Sequence, residues 1–311
     1  MSKLSKVRFL VACSLPYGIR RLIQKYLATR RKKKASSIES RLNELRSIIT
    51  HNFPVDQIPP ATGKLRLLQE GNAVLLKLFA DKCQEAGLRF WLDYGTLLGA
   101  IRHKGFIPWD DDLDVSMMRE EYDKLLTLLP QLFPSEAGFH YGHHAFLQIG
   151  YKGTPLNLDV YPWHFHSATY NTQEKADVEQ GMTDIKKKVI YTGGKLNYTD
   201  AQIQALIDKH IHQQKAPLPE SEMPAIFLSP AITFTKNSVR AYDDIFPLKT
   251  CLFEGHELPI PNHSRQYLQF FYGDYMSYPP TVGYQHASVE QMVKNVPFES
   301  EVNAFIDQYG K

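Results

Sequence analysis

The chain has 311 residues, long enough to bury one large core or two small ones, and its 43% hydrophobic and 22% charged residues are the balance of an ordinary globular protein. Net charge is only +3, yet residues 1–38 hold eleven Lys or Arg and no acid, so the remainder, with 25 basic and 33 acidic residues, carries −8. Three distant cysteines, Cys13, Cys83 and Cys251, form no CxxC pair, which excludes a zinc ribbon and a disulfide scaffold and suits reduced thiols in a cytoplasmic setting.

Residues 1–35 are a basic arm ending in Arg30-Arg31-Lys32-Lys33-Lys34. Its longest uncharged run, Phe9 to Ile19, has eleven residues and contains Pro16 and Gly18. A membrane span needs about 20 apolar residues, so none is expected here. The arm reads as a solvated tail, as a peripheral contact with an anionic membrane, or as a nucleic-acid contact. No aromatic–basic interleaving supports the last, and no nucleic acid is expected.

Ser36 and Glu39 form a capping box opening a helix, whose apolar residues Ile38, Leu42, Leu45 and Ile49 recur at helical spacing. The pattern covers fewer than two heptads, so packing onto the body is expected rather than a coiled coil. Pro54, Pro59 and Pro60 mark a linker, dividing a basic arm and helix (1–50) from a catalytic body (51–311).

A second helix is expected from Lys64 to Glu85, capped by Gly87. A strand follows at Arg89 to Leu92, then a turn through Asp93-Tyr94-Gly95-Thr96 and a short helix from Leu97 to Arg102. Leu113 to Met117 reads as a strand, and Glu120 to Leu129 as a helix stopped by Pro130. Further strands are expected at Phe146 to Tyr151 and Asn157 to Tyr161. Residues 173–213 read as polar helix with a capping box at Thr199 and Gln202. Tyr242 to Pro261 reads as turn-rich, Ser264 to Tyr272 as a helix, and short helices close the chain.

The chemistry concentrates in Trp109-Asp110-Asp111-Asp112-Leu113-Asp114-Val115. Strand side chains alternate, so Asp112 and Asp114 are expected on one face, their Cα atoms about 7 Å apart at roughly 3.3 Å per residue. Four Asp in five residues repel one another unless a cation sits among them. An acidic surface loop is the plainer reading of such a cluster, but Trp109, Leu113 and Val115 interleave the acids as in a half-buried strand. Carboxylate oxygens suit Mg²⁺, with Mn²⁺ as the other ion this set accepts.

Upstream, Gly95-Thr96 lies between a strand and a helix, where glycine allows close backbone approach to a phosphate and helix-start N–H groups attract anions. Strand, Gly-Thr turn, helix and then a strand bearing Asp-x-Asp is the signature of a nucleotidyltransferase-like fold. An α+β fold follows, with a mixed β-sheet flanked by helices. A third acid is expected from an adjacent strand, and Leu158-Asp159-Val160 supplies Asp159. Arg102 is a candidate phosphate ligand. His103 reads either as a proton carrier or as a hydrogen-bonded linker. Trp109, Tyr161 and Trp163 read as core before they read as a box for a quaternary ammonium.

The stretch Leu97-Leu98-Gly99-Ala100-Ile101-Arg102-His103-Lys104-Gly105-Phe106-Ile107-Pro108-Trp109-Asp110-Asp111-Asp112-Leu113-Asp114 closely resembles the signature of LicD-family phosphotransferases, which include the fukutin-type proteins. A second block, Phe253-Glu254-Gly255-His256-Glu257-Leu258-Pro259-Ile260-Pro261 followed by Tyr267-Leu268, Tyr272-Gly273-Asp274-Tyr275 and Pro279-Pro280, resembles the family's C-terminal block. The resemblance implies metal-dependent transfer of a phospho-alcohol, phosphocholine-like or a polyol phosphate, from a CDP-activated donor to a glycan hydroxyl, with CMP released. It implies that Asp112, Asp114 and Asp159 are catalytic and hold the metal, while Gly95, Thr96, Arg102, His103 and Trp109 line the substrate. The acceptor would be a sugar or glycan, free or lipid-linked, and the enzyme cytoplasmic or peripheral on the cytoplasmic membrane face. Where many members have Gly-Gly-Thr, this chain has Tyr94-Gly95-Thr96. The cysteine-based zinc site of some animal relatives has no counterpart, and residues 165–230 lie outside the confident match. The competing readings are an NTP-dependent nucleotidyltransferase acting on a small molecule and an inactive membrane- or glycan-binding scaffold.

Overall fold

The structure is a computed structural model that describes residues 36–45, 47–143, 146–166, 171–189, 202, 205, 206, 209, 226–228, 239–279 and 297–310. The arm at 1–35, Thr199 of the second capping box, most of the helix expected beyond 189, and Pro280 lie outside the described residues. The chain divides into two compact units, Met1–Val55 and Asp56–Lys311. In the first, residues 36–45 and 47–52 are helical, with Ile38 at 50% and Leu45 at 55% exposure.

In the second unit, α1 (Gly63–Glu85) buries Leu68, Leu75, Leu76, Phe79 and Cys83, a spacing that keeps one helical face inward. Gly87, at φ +65°, ends it, with the Leu88 N–H closing on the Cys83 carbonyl at 2.8 Å. The chain then runs through β1 (Trp91–Leu92), α2 (Tyr94–His103), β2 (Asp114–Met118), α3 (Arg119–Leu132), β3 (Phe139–His143), β4 (Leu147–Tyr151) and β5 (Asn157–His166). After α4 (Thr172–Val189) come β6 (Ile226–Leu228), β7 (Val239–Ala241), α5 (Tyr242–Ile245), β8 (Lys249–Phe253), β9 (His256–Ile260), α6 (Ser264–Tyr272) and α7 (Phe298–Tyr309).

The sheet is mixed, in the order β1-β2-β5-β4-β3, with β6 added beside the far half of β5 and β7 beside β6. Among the described residues, only β2 and β5 pair in parallel. A parallel pair needs a long crossover, and α3 with the β3–β4 hairpin supplies it. All five residues of β2 are buried. The architecture is the α+β, mixed-sheet arrangement expected from the sequence.

Several local expectations are corrected. The strand carrying the acids begins at Asp114, not Leu113, and β1 shrinks to two residues. The helix expected to stop at Pro130 continues to Leu132, because a proline in the last turn forfeits only its own N–H bond; the Phe133 N–H still reaches the Leu129 carbonyl at 2.8 Å. The stretch expected to be turn-rich holds the β8–β9 hairpin, closed by Glu254 (φ +48°) and Gly255 (φ +84°) in the two-residue geometry that matches strand twist. The strands β3, β6 and β7 were not anticipated.

Candidate active site

The parallel register of β2 and β5 sets Asp114 beside Asp159, with the Asp159 N–H donating to the Leu113 carbonyl at 2.8 Å. Asp114 is the first residue of β2 and is buried; Asp159 is equally buried one strand away. Asp112 precedes the strand, so the expected period-two alternation of Asp112 and Asp114 does not apply. The irregular approach instead bends Asp110, Asp111 and Asp112 together, with ligand oxygens that all lie within 4.8 Å of one another. Asp112 faces three further acids: its charge raises Asp110, Asp114 and Asp159 alike.

The electrostatics follow from crowding in a dry place. Burial first, then the charges of Asp112, Asp159, Asp110 and Asp93, hold the Asp114 carboxyl well above the usual carboxylate range. Burial, then Asp112 and Asp111, does the same to Asp110. Asp159 is pushed by burial to about 6, opposed by hydrogen bonds to Oδ1 from Gln148 Nε2 (3.0 Å) and Asn157 Nδ2 (2.5 Å). The donor set is carboxylate oxygen throughout, which fits a hard divalent cation.

The start of α2 is built against these acids. Asp93 caps the helix by accepting from the Tyr94 N–H at 2.8 Å, and its carboxylate also accepts from Ser116 Oγ (2.5 Å) and the Tyr267 hydroxyl (2.6 Å). The helix takes in Gly95 and Thr96, which the sequence placed in a preceding turn. The Gly95 N–H donates to Asp114 Oδ2 at 3.3 Å, and a Cβ added there would lie 2.9 Å from Asp110 Oδ2. Thr96 Oγ1 accepts from the Asp114 backbone N–H at 2.7 Å, so its hydroxyl oxygen fixes the start of β2. Tyr94 sits at φ +40°, the left-handed region that favours glycine. This is the position where many relatives of the sequence signature carry Gly, and here ring packing against Tyr161 (5.1 Å) and Phe271 (5.9 Å) accompanies the strain.

Two buried amides on α1 hold the acidic approach from behind. Gln69 Nε2 donates to the Asp110 carbonyl at 2.9 Å, and Asn72 Nδ2 to the Asp111 carbonyl at 3.1 Å. Asn72 Oδ1 also accepts the Asn157 N–H at 3.2 Å, so one side chain joins the acidic approach to the start of β5.

Arg102 is buried beside this cluster and feels the charge of Asp110, with Nη1 donating to the Tyr275 carbonyl at 2.6 Å and Nε donating to His103 Nε2 at 2.9 Å. Burial and then Arg102 push His103 down to about 4, which favours the neutral imidazole that accepts from Arg102 Nε. Trp109, next to Asp110 in sequence, is half-buried and packs against the core. Trp163 is fully buried, its indole N–H donating to Ser116 Oγ at 3.1 Å.

Sequence reasoning singled out neither Asp93 nor Asp110 as a site residue, and it missed Tyr267 and Tyr272. Tyr272 as a whole residue is 40% exposed. Its hydroxyl is held well above the usual tyrosine value by burial, then by Asp114, Asp93 and Asp110. The signal for both tyrosines was the second block of family resemblance, which α6 folds back onto the acids. Glu254 of the same block accepts from the Phe106 N–H (3.1 Å) and from Arg66 Nη2 (2.8 Å), pinning the turn before the acids.

Residues 87–221 match the family model for the LicD/FKTN/FKRP nucleotidyltransferase domain. That match spans 135 of the 311 residues, the part of the chain that holds β2, β5 and the acids. The chain is 28% identical over 247 residues to the lipopolysaccharide cholinephosphotransferase LicD of Haemophilus influenzae, covering 66% of this chain and 89% of that protein. It is 44% identical over 92 residues to human ribitol 5-phosphate transferase FKRP, covering 26% of this chain but 18% of that protein. It is 27% identical over 130 residues to mouse ribitol-5-phosphate transferase FKTN, covering 40% and 26% of the two chains.

Proposed function

We propose that this protein transfers a phospho-alcohol, phosphocholine-like or a polyol phosphate, from a CDP-linked donor to a glycan hydroxyl. The observation that carries this reading is the convergence of Asp110, Asp112, Asp114 and Asp159 at the ends of two adjacent parallel strands, in surroundings that raise the carboxyl pKa of Asp110, Asp114 and Asp159. Such a cluster is stable as anions only with a cation among them. The named relatives transfer choline phosphate or ribitol phosphate, which supports the substrate class.

Asp112, Asp114 and Asp159, with Asp110 beside them, would hold Mg²⁺ or Mn²⁺. Once bound, the ion would supply neutralisation of the donor diphosphate and polarisation of the phosphorus under attack. The chain's own residues do the rest. The Gly95 N–H and the α2 N-terminus favour negative charge at the acid centre. Arg102 adds positive charge close by. The acceptor oxygen forms a bond to the alcohol-side phosphorus, the bond from that phosphorus to the bridging oxygen breaks, and CMP departs with the electron pair. Asp159 is the group assigned to take the hydroxyl proton. Positioning and charge stabilisation account for most of the rate. The work is assigned to the cytoplasmic side, on a free or lipid-linked glycan.

The test is thermal unfolding with and without Mg²⁺ against CDP-choline, CDP-ribitol, CDP-glycerol, CMP, ATP and CTP. A ligand at about 100 times its Kd adds roughly 2.7 kcal/mol. A Mg²⁺-dependent rise in Tm with one CDP-alcohol supports the reading and names the donor. A rise with a triphosphate alone favours NTP-dependent nucleotidyl transfer, and no rise with any of them favours a scaffold.

A further inference from the structure

We propose that the helical residues 36–52 are a membrane-surface anchor, lying with their apolar stripe in the interface of an anionic bilayer. The stripe is Ile38, Leu42, Leu45, Ile48, Ile49 and Phe53, every one exposed, from 42% for Ile49 to 63% for Phe53. At 100° per residue these positions fall on one side of the helix, a side that also carries Arg41 and Asn52, while Glu39 and Glu44 flank it and Ser40, Asn43 and Ser47 fall opposite. Six large apolar side chains in one exposed row are not the surface of a free-standing helix in water.

Charge decides what covers the row. The helix follows directly on residues 1–38, with eleven Lys or Arg and no acid. That segment is complementary to anionic headgroups and repels a like segment on a second copy. A two-stranded coiled coil is the competing occupant, since Ile38, Leu42, Leu45 and Ile49 are spaced four, three and four residues apart. That seam covers fewer than two heptads, against the three or four that about define a sustained coiled coil, and it leaves Ile48 and Phe53 outside. A lipid interface accepts the whole stripe and uses the adjoining positive charge. Among the described residues no helix is long and apolar enough to cross a membrane.

The experiment is co-sedimentation of the full chain with phosphatidylcholine vesicles, with and without phosphatidylglycerol. Binding is expected only with the anionic lipid, and it should weaken in salt of about 1 M, where the Debye length is ~3 Å. The triple variant Leu42→Gln, Leu45→Gln, Ile49→Gln should lose at least about tenfold in vesicle affinity, since interfacial binding scales with buried apolar area. The apolar control Leu42→Met, Leu45→Met, Ile49→Met should keep it, and the Tm of the catalytic unit should not change in either. The proposal is overturned if the native chain ignores anionic vesicles, or if the Gln variant binds like the native chain. It is also overturned if analytical ultracentrifugation shows a dimer that the Gln variant dissociates while vesicles are ignored. None of these readouts depends on turnover, so the catalytic reading stands or falls separately.

Discussion

Asp114 and Asp159 are register partners across the parallel pair β2 and β5, two buried carboxyls one strand spacing apart. Adjacent strands lie about 4.8 Å apart, close enough for both groups to share an ion and too close for both to ionise cheaply without one. This one pairing fixes the site, because Asp110 and Asp112 approach it from the loop that Gln69 and Asn72 hold.

Asp114→Asn should therefore separate activity from stability. Turnover should fall by about a thousandfold or more, as expected when a charge-stabilising group is lost. The cation-free protein should melt no lower than the native chain, because the substitution removes a buried like charge that burial and four neighbouring acids oppose. Calorimetry beside an activity assay checks this; a folded Asp114→Asn variant with native turnover would contradict the assignment.

The pH dependence has a definite sign. Asp159 and Asp93 both titrate near 6 in the folded chain, above their unfolded value of 3.8. The folded state thus binds these protons more tightly, so cation-free stability should fall as pH rises from about 4 through about 6, and the raised Asp114 and Asp110 add to that fall. A bound cation requires the deprotonated carboxylates, so Mg²⁺ should raise Tm well above pH 6 and little at pH 5. Melting curves in EDTA and in Mg²⁺ across this range read both effects.

Gly95→Ala should cost activity more than fold. Its Cβ would sit 2.9 Å from Asp110 Oδ2, so that carboxylate must move. Alanine suits a helix start sterically elsewhere, and stability should change by about 1 kcal/mol or less. A drop of about tenfold to a hundredfold in kcat/KM, with weaker Mg²⁺ dependence, is the expected result by the geometric sensitivity of such sites.

Asn72→Ala removes two buried hydrogen bonds, to the Asp111 carbonyl and from the Asn157 N–H. Leaving those backbone groups unsatisfied should destabilise the protein by about 2–4 kcal/mol. Chemical denaturation measures it, and Mg²⁺ titration by fluorescence should show weaker binding in the same variant.

His103→Gln tests the linker role. The imidazole is already neutral and accepts from Arg102 Nε, a contact that a Gln carbonyl can replace. The kcat–pH profile between pH 5 and 8 should keep its shape. Loss of one limb of that profile would make His103 a proton carrier after all.

Much of this site was legible in the sequence because its chemistry is local. Asp112, Asp114 and the Gly95-Thr96 turn lie in one short segment, and Leu158-Asp159-Val160 announces a buried acid on a strand. The strand register that joins Asp114 to Asp159 depends on long-range pairing, which periodicity alone does not encode. Asp93 was hidden for another reason: a capping residue and a buried acid held by Tyr267 look alike in sequence. Thr96 was read as a phosphate ligand, and the structure adds a second role, since its oxygen accepts the Asp114 backbone N–H while its O–H remains a donor. The strand start at Asp114 was misplaced by one residue because Leu113 is as apolar and buried as a strand residue, while its neighbours Asp110 to Asp112 follow a loop pinned by α1. The exposed stripe at residues 36–53 shows the same limit in reverse, since helical periodicity reveals an apolar face and not what covers it.

The most direct measurement is release of CMP from a CDP-alcohol donor in the presence of a glycan acceptor, followed by phosphorus NMR with Mg²⁺ and then with EDTA. The account predicts CMP and a new phosphodiester on the glycan, both abolished by EDTA and by Asp112→Asn. Phosphodiester formation that persists in EDTA and in that variant would contradict it.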